Sequence, residues 1–130
     1  MKFYRYSLLS AFAVLAIVTG CKTDDTTPDP DAGNASITGH VKHHDDIIPY
    51  AKVYLKHNVV NFPGGNTAVY DDSTTADKGA HYTFSHLKQG NYYLYSIGYD
   101  SAFAEVVKGG IPVNIDAPGK QVSSNIPVTE

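Results

Sequence analysis

The sequence has a single cysteine, a single methionine and no tryptophan among its 130 residues. One cysteine excludes an internal disulfide, so burial and hydrogen bonding must hold the fold. A formal net charge of −3 excludes the concentrated basic surface that nucleic-acid phosphates require, and no nucleic-acid partner is expected. No apolar run reaches the roughly 20 residues that a membrane-spanning helix needs. From Asn34 on, no stretch of eleven or more residues carries a helical apolar stripe free of Gly and Pro, which argues against an α-helical core. Also missing are HExxH, His-x-His, paired cysteines, EF-hand spacing and a recognisable Ser-His-Asp or Cys-His order. Enzymatic activity and a bound cofactor are therefore not expected.

What is present is apolar content of 42%, with ten Tyr, five Phe, eleven Gly and seven Pro, a composition suited to strands and turns. The lone cysteine closes a distinctive N-terminus. Lys2 and Arg5 precede the apolar run Leu8 to Val18, "LLSAFAVLAIV", and "VTGC" follows it. That run suits the h-region of a signal peptide and is too short to span a bilayer. No base near Cys21 would activate its thiol for catalysis. Val18-Thr19-Gly20-Cys21 resembles the bacterial lipobox. The resemblance implies a signal peptide over 1–20 that is removed, and diacylglycerol on Cys21 as the first residue of the mature chain.

Residues 21–33 comprise the lipidated Cys21 and an acidic tether. "KTDDTTPDPDAG" holds four Asp and two Pro in twelve residues, with no large apolar side chain to bury. Extended, it would reach about 37 Å, and as a flexible coil about 19 Å. Lys22-Thr23-Asp24-Asp25 is similar to the short signals that export some Gram-negative lipoproteins to the outer face of the outer membrane, and equally to an ordinary solvated linker. Lys22, rather than Asp, follows the cysteine, so the usual inner-membrane retention signal is absent. The expected location is the outer membrane, on its cell-surface or periplasmic face, with the membrane itself as partner through Cys21.

Residues 34–130 read as one domain of alternating strands. "SITGHVKHH" sets Ile37, Gly39 and Val41 on one face; "AKVYLKH" does the same with Ala51, Val53 and Leu55. "YTFS", "NYYLYSIGY", "GIPVNID" and "KQVSSNIPV" continue the period. Turns are expected at Asp45-Asp46, Pro63-Gly64-Gly65-Asn66, Asp77-Lys78-Gly79, Lys88-Gln89-Gly90 and Ala117-Pro118-Gly119. About seven strands at this spacing predict an all-β, antiparallel β-sandwich.

The order Gly39 and Val41, then Pro49, Ala51, Val53 and Leu55, Thr75, Gly79, Tyr82 and Phe84, Leu87, and Gly90, Tyr92 and Leu94 resembles the carboxypeptidase regulatory-like domain. That resemblance covers most of residues 36–130 and implies a Greek-key, prealbumin-like sandwich acting as a structural or interaction module. It departs from the pattern at Tyr82, one residue late after Gly79, and in the long loop 58–67.

Candidate sites are few. His40, His43, His44 and His57 invite a metal reading, but a solvated polar face accounts for them more simply, and no metal is expected. Asp71, Asp72 and Asp77 read as a strand end and a turn rather than a calcium loop. Tyr93, Tyr95, Ile97 and Tyr99 stand at alternate positions, opposite the inward Tyr92 and Leu94, and Tyr54 joins them if its strand is a neighbour. Such a row can stack on sugar rings, bury against a protein, or pack beneath the long loop. The expected function is a non-catalytic structural or protein-interaction module at the envelope, with glycan binding through an exposed Tyr row as the alternative.

Overall fold

The structure is a computed structural model that describes residues 33–130. The signal segment, Cys21 and nearly all of the tether lie outside the described residues. The described part is all β, with strands β1 (Ala35–His43), β2 (Asp46–Ile47), β3 (Lys52–His57), β4 (Asp72–Thr75), β5 (His81–Leu87), β6 (Gly90–Asp100), β7 (Glu105–Ile115), β8 (Gln121–Ser123) and β9 (Ile126–Pro127). One 3-10 turn, Thr67–Val69, interrupts the loop before β4.

Two sheets form the layers. The second runs β4-β3-β6-β7, antiparallel throughout. The first is built around β1. Antiparallel β5 lines one edge, and Val41 continues that edge by donating to Ala80 O and accepting from Ile48 N, so that β2 follows β5. β8 and β9 line the other edge, parallel to β1, because Ile37 pairs with both Phe84 and Val122. The expected sandwich is thus present with two differences. Among the described residues there are nine strands rather than about seven, and two of them pair in parallel with β1. The closing stretch 121–128 is broken at Ser124–Asn125, where the Asn125 side chain accepts the His40 N–H in place of a strand carbonyl.

Alternation positions the core. Ala35, Ile37, Val41, Val53, Leu55, Tyr82, Phe84, Leu94, Val107, Ile115, Ile126 and Val128 are buried together between the sheets. Burial of each aliphatic side chain of this size contributes about 1.5–3 kcal/mol. Gly39 holds an inward position because β8 leaves no room beside it: a Cβ there would stand 1.7 Å from Ser124 O. The Tyr82 hydroxyl reaches the same carbonyl at 2.6 Å, which satisfies the one polar atom of a buried ring. Lys108 and Thr129 exchange backbone hydrogen bonds of 2.7 and 2.8 Å, joining the end of the chain to the free edge of β7.

One irregularity matters below. Ala35 pairs with Leu87 but Ile37 pairs with Phe84, so β5 carries one extra residue at Ser85–His86. This is a β-bulge: it turns two successive side chains outward before Leu87 returns to the core.

Candidate functional site

The outer face of the second sheet carries the row of aromatic residues. β3 and β6 are neighbours, with Tyr54 opposite Tyr95 and Lys52 opposite Ile97, so Tyr54 does join the row. The row is not open, however. Tyr93 and Tyr95 are only 8% and 5% exposed. The cause is the loop 58–71, which folds back over the sheet. Phe62 lies 5.9 Å from Tyr93 and 5.2 Å from Tyr95, and Tyr70 stacks on Tyr95 at 5.6 Å with an interplanar angle of 14°. Tyr54 closes the cluster at 5.7 Å from Tyr70 and 6.4 Å from Tyr95. Of the predicted row, Ile97 is half-buried and Tyr99 is the open member, 55% exposed opposite Val106. Alternation reports which face a strand residue takes; it is silent on what a distant loop lays across that face.

The loop is held at several points. The Tyr70 hydroxyl donates to Gly64 O at 3.0 Å, Asn66 caps the 3-10 turn, and Asn58 N donates to Asn91 O. At its far end the Asp71 carboxylate accepts from Lys56 Nζ and from His57 N, which holds it below the usual carboxylate range. Burial, with Tyr95 and Tyr93 close by, pushes the Tyr70 hydroxyl up to about 12.

Phe62 was not singled out from the sequence, and it is the residue that shapes the site. Its ring is 53% exposed and forms one wall of a cleft of about 370 Å3, whose other lining is Tyr93, Tyr95, Lys108, Gly109 and Gly110. Gly110 makes room for one wall: it pairs with Tyr95, and a Cβ on it would stand 2.6 Å from the Tyr93 ring, so that ring packs against bare backbone. Gly109 serves the other side of the strand, where a Cβ would stand 2.0 Å from Pro127 O. An apolar platform of this kind, edged by two tyrosines and a lysine, can take the face of a ring and hydrogen-bond its rim.

The histidines separate. β1 and β3 belong to different sheets, so the four histidines of the metal reading do not form one group: His57 lies on a different sheet from His40 and His43. His40 meets His81 edge-on at 5.3 Å, and His81 Nε2 is 2.7 Å from Thr38 Oγ1. His43 points into the interior and pairs with buried Asp100 at 2.8 Å; its Nε2 stands 3.1 Å from Glu130 Oε2, a charge contact without hydrogen-bond alignment. The bond to Asp100 raises the His43 imidazole above its ordinary value and lowers Asp100 below its own. The expected solvated polar face thus fails at His43, which is 2% exposed and continues the inward alternation of Ile37, Gly39 and Val41; its partner, 57 residues away, left no trace in the sequence. Asp72 accepts from Ser73 N, and Asp77 from the backbone of Gly79 and His81. Among the described residues no group of three or more His, Cys, Asp or Glu could hold a metal ion, and no helix there is long and apolar enough to cross a membrane.

No family model matches the chain, and no curated protein matches it significantly. Among solved structures it is similar to a Pseudomonas aeruginosa protein described as a candidate carbohydrate binding protein, with a TM-score of 0.49 and 14% identity over 75% of this chain and 90% of that one. It is also similar to a DUF3823 family protein from Parabacteroides merdae, with a TM-score of 0.46 and 15% identity over 75% of this chain and 47% of that one, so that it spans about half of that protein's length.

Proposed function

We propose that the chain is a non-catalytic binding module of a bacterial cell envelope, a sandwich related to the carboxypeptidase regulatory-like domains and carried on lipid at Cys21. Its binding face is the outer face of the second sheet. The observation that carries this reading is the Phe62 cleft: a half-exposed aromatic ring beside two tyrosines that the loop has already ordered, with Lys108 at its edge. Pre-ordered rings lose little conformational entropy on binding, which favours recognition over chemistry. Between the two partner classes, protein and glycan, the cleft favours a sugar ring. Phe62 offers a stacking surface, and Lys108 with the tyrosines supplies polar contacts at the rim.

The test uses the purified full chain on a glycan array, followed by titration of any hit against Phe62→Ala. Binding that weakens about tenfold or more while the fold is retained supports the cleft. Binding that the substitution leaves intact removes the cleft from the reading, and an empty array returns the face to a protein partner.

A further inference from the structure

The outer face of the second sheet continues past the Phe62 cleft, and there its charge is opposite to the net −3 of the chain. We propose, resting on the glycan reading of the cleft, that the ligand is an anionic oligosaccharide, its carboxylate or sulfate groups met by Lys52 and Lys108 on either side of Ile97.

Register places the two lysines. Ile97 pairs with Lys52 on β3 and with Lys108 on β7, so the three stand in one row across the sheet, next to the row of Tyr54, Tyr95 and Gly110. They take the outer face because the alternate residues, Val53 and Val107, are buried in the core. Two strand spacings set the lysine backbones about 10 Å apart. Lys108 also lines the cleft itself. The lysine–carboxylate pairs of the described residues lie elsewhere, at Lys56 with Asp71 and at Lys120 with Asp116. Among the described residues, Lys52 and Lys108 make no side-chain hydrogen bond or ion pair.

The acids around this row are turned away or committed. β3 contains none. Those of β6 and β7, Asp100 and Glu105, pair with each other at inward positions, and Asp100 is bonded to His43. On β4 the residues beside Tyr54 and Lys52 are Ser73 and Thr75, while Asp72 accepts from Ser73 N. Asp71 is held by Lys56 Nζ and His57 N, and Asp77 by the backbone of Gly79 and His81. Glu130 follows the Thr129 that bridges to Lys108, but its carboxylate stands 3.1 Å from His43 Nε2. Two ammonium groups therefore face solvent across one half-buried Ile97, with no carboxylate beside them to neutralise either.

Beyond the lysine row the face ends in a second aromatic. Tyr99 pairs with Val106, and both are exposed, because the loop that covers Tyr95 stops short of them. The rise of a strand puts Tyr99 about 13 Å along β6 from Tyr95. A ligand stacked on Phe62 and extended to Tyr99 thus crosses the lysines and comprises several rings. A neutral sugar would use the aromatics and leave both ammonium groups to water; a small anion would use the ammonium groups and ignore the aromatics. An acidic oligosaccharide uses both, and its bonds to the lysines are of the stronger, charge-assisted kind.

The purified full chain, held in a non-ionic detergent, is titrated calorimetrically with oligogalacturonate and with the same oligomer fully methyl-esterified. Dextran sulfate is compared likewise with dextran, and polyglutamate stands in for an acidic protein. At least one charged glycan should bind saturably and about tenfold or more tighter than its neutral counterpart, and the two arms assign carboxylate or sulfate. Lys52→Gln and Lys108→Gln should each weaken that binding about fivefold or more. Tyr99→Ala should weaken it as well, and Lys42→Gln, on the first sheet, should leave it unchanged. Circular dichroism confirms that each variant is folded. Equal binding of charged and neutral forms, lost in Phe62→Ala, overturns the proposal and leaves the glycan reading standing. Polyglutamate bound as tightly as the glycans overturns it in favour of an acidic protein. Charged-glycan binding that survives both lysine substitutions, or that Lys42→Gln weakens equally, overturns it too. Silence from every probe also overturns it, and the glycan reading then stands or falls on the array.

Discussion

His43 and Asp100 are the pair whose removal from water has the clearest consequence. The Asp100 hydrogen bond raises His43 above the ordinary 6.5, and the same bond lowers Asp100 below 3.8. The His43 contribution to stability is complete below pH 6.5 and is lost as pH climbs through its raised pKa. The Asp100 contribution is complete above pH 3.8 and is lost as pH falls through its lowered one. Urea midpoints plotted against pH should therefore form a plateau that declines on both sides. His43→Gln should flatten the alkaline decline, while the acid limb persists because Asp71, Asp77 and Asp116 are also held low. An unchanged alkaline limb would show that His43 does not carry it. At Gly39 the issue is space rather than charge. Ser124 O is a backbone atom and cannot rotate away, so Gly39→Ala should cost at least the 1–3 kcal/mol typical of overpacking, read as a lowered melting temperature.

At the scale of elements, the strands were legible because their residues alternate, and the turns because Gly, Pro and Asp mark them. What alternation cannot encode is partnership at long range. Tyr93 and Tyr95 read as an outward row that could bind or pack beneath the long loop "NVVNFPGGNT"; nothing local decides between these or names Phe62 and Tyr70 as the cover. His86 reads as an ordinary outward residue until the bulge shows two outward residues in succession. The parallel pairing of β8 and β9 was equally invisible, since period two is the same for parallel and antiparallel neighbours. The loop yields a prediction that separates binding from folding. Phe62 is half-exposed, so Phe62→Ala should cost only about 0.5–1.5 kcal/mol of aromatic contact. Tyr95→Ala removes a buried, stacked ring and should cost about 3–5 kcal/mol. Thermal denaturation of the two variants checks the order, and equal losses would mean that the loop does not rest on the sheet as described.

For the whole molecule, the proposed address and the proposed errand rest on separate residues and fail separately. Cys21→Ser should move the protein from the membrane fraction to the soluble one, with binding by the domain unaltered; continued sedimentation with membranes would refute lipidation. The ends of the domain are distinct. Gly33 sits by the β5–β6 hairpin, whereas β1 runs away from it to the His43–Asp100 pair at the opposite end. β1 is also flanked on both edges, by β5 and β2 on one side and by β8 and β9 on the other. On the proposed reading, a protein held to a surface by its N-terminal side and gripping a partner with its sheet would be a mechanical link. Tension drawn along β1 loads two hydrogen-bonded ladders in shear at the same time, instead of peeling an edge strand one bond after another. The strand nearest the tether is thus held along both of its edges, so that drawing it out requires bonds on two ladders to yield together.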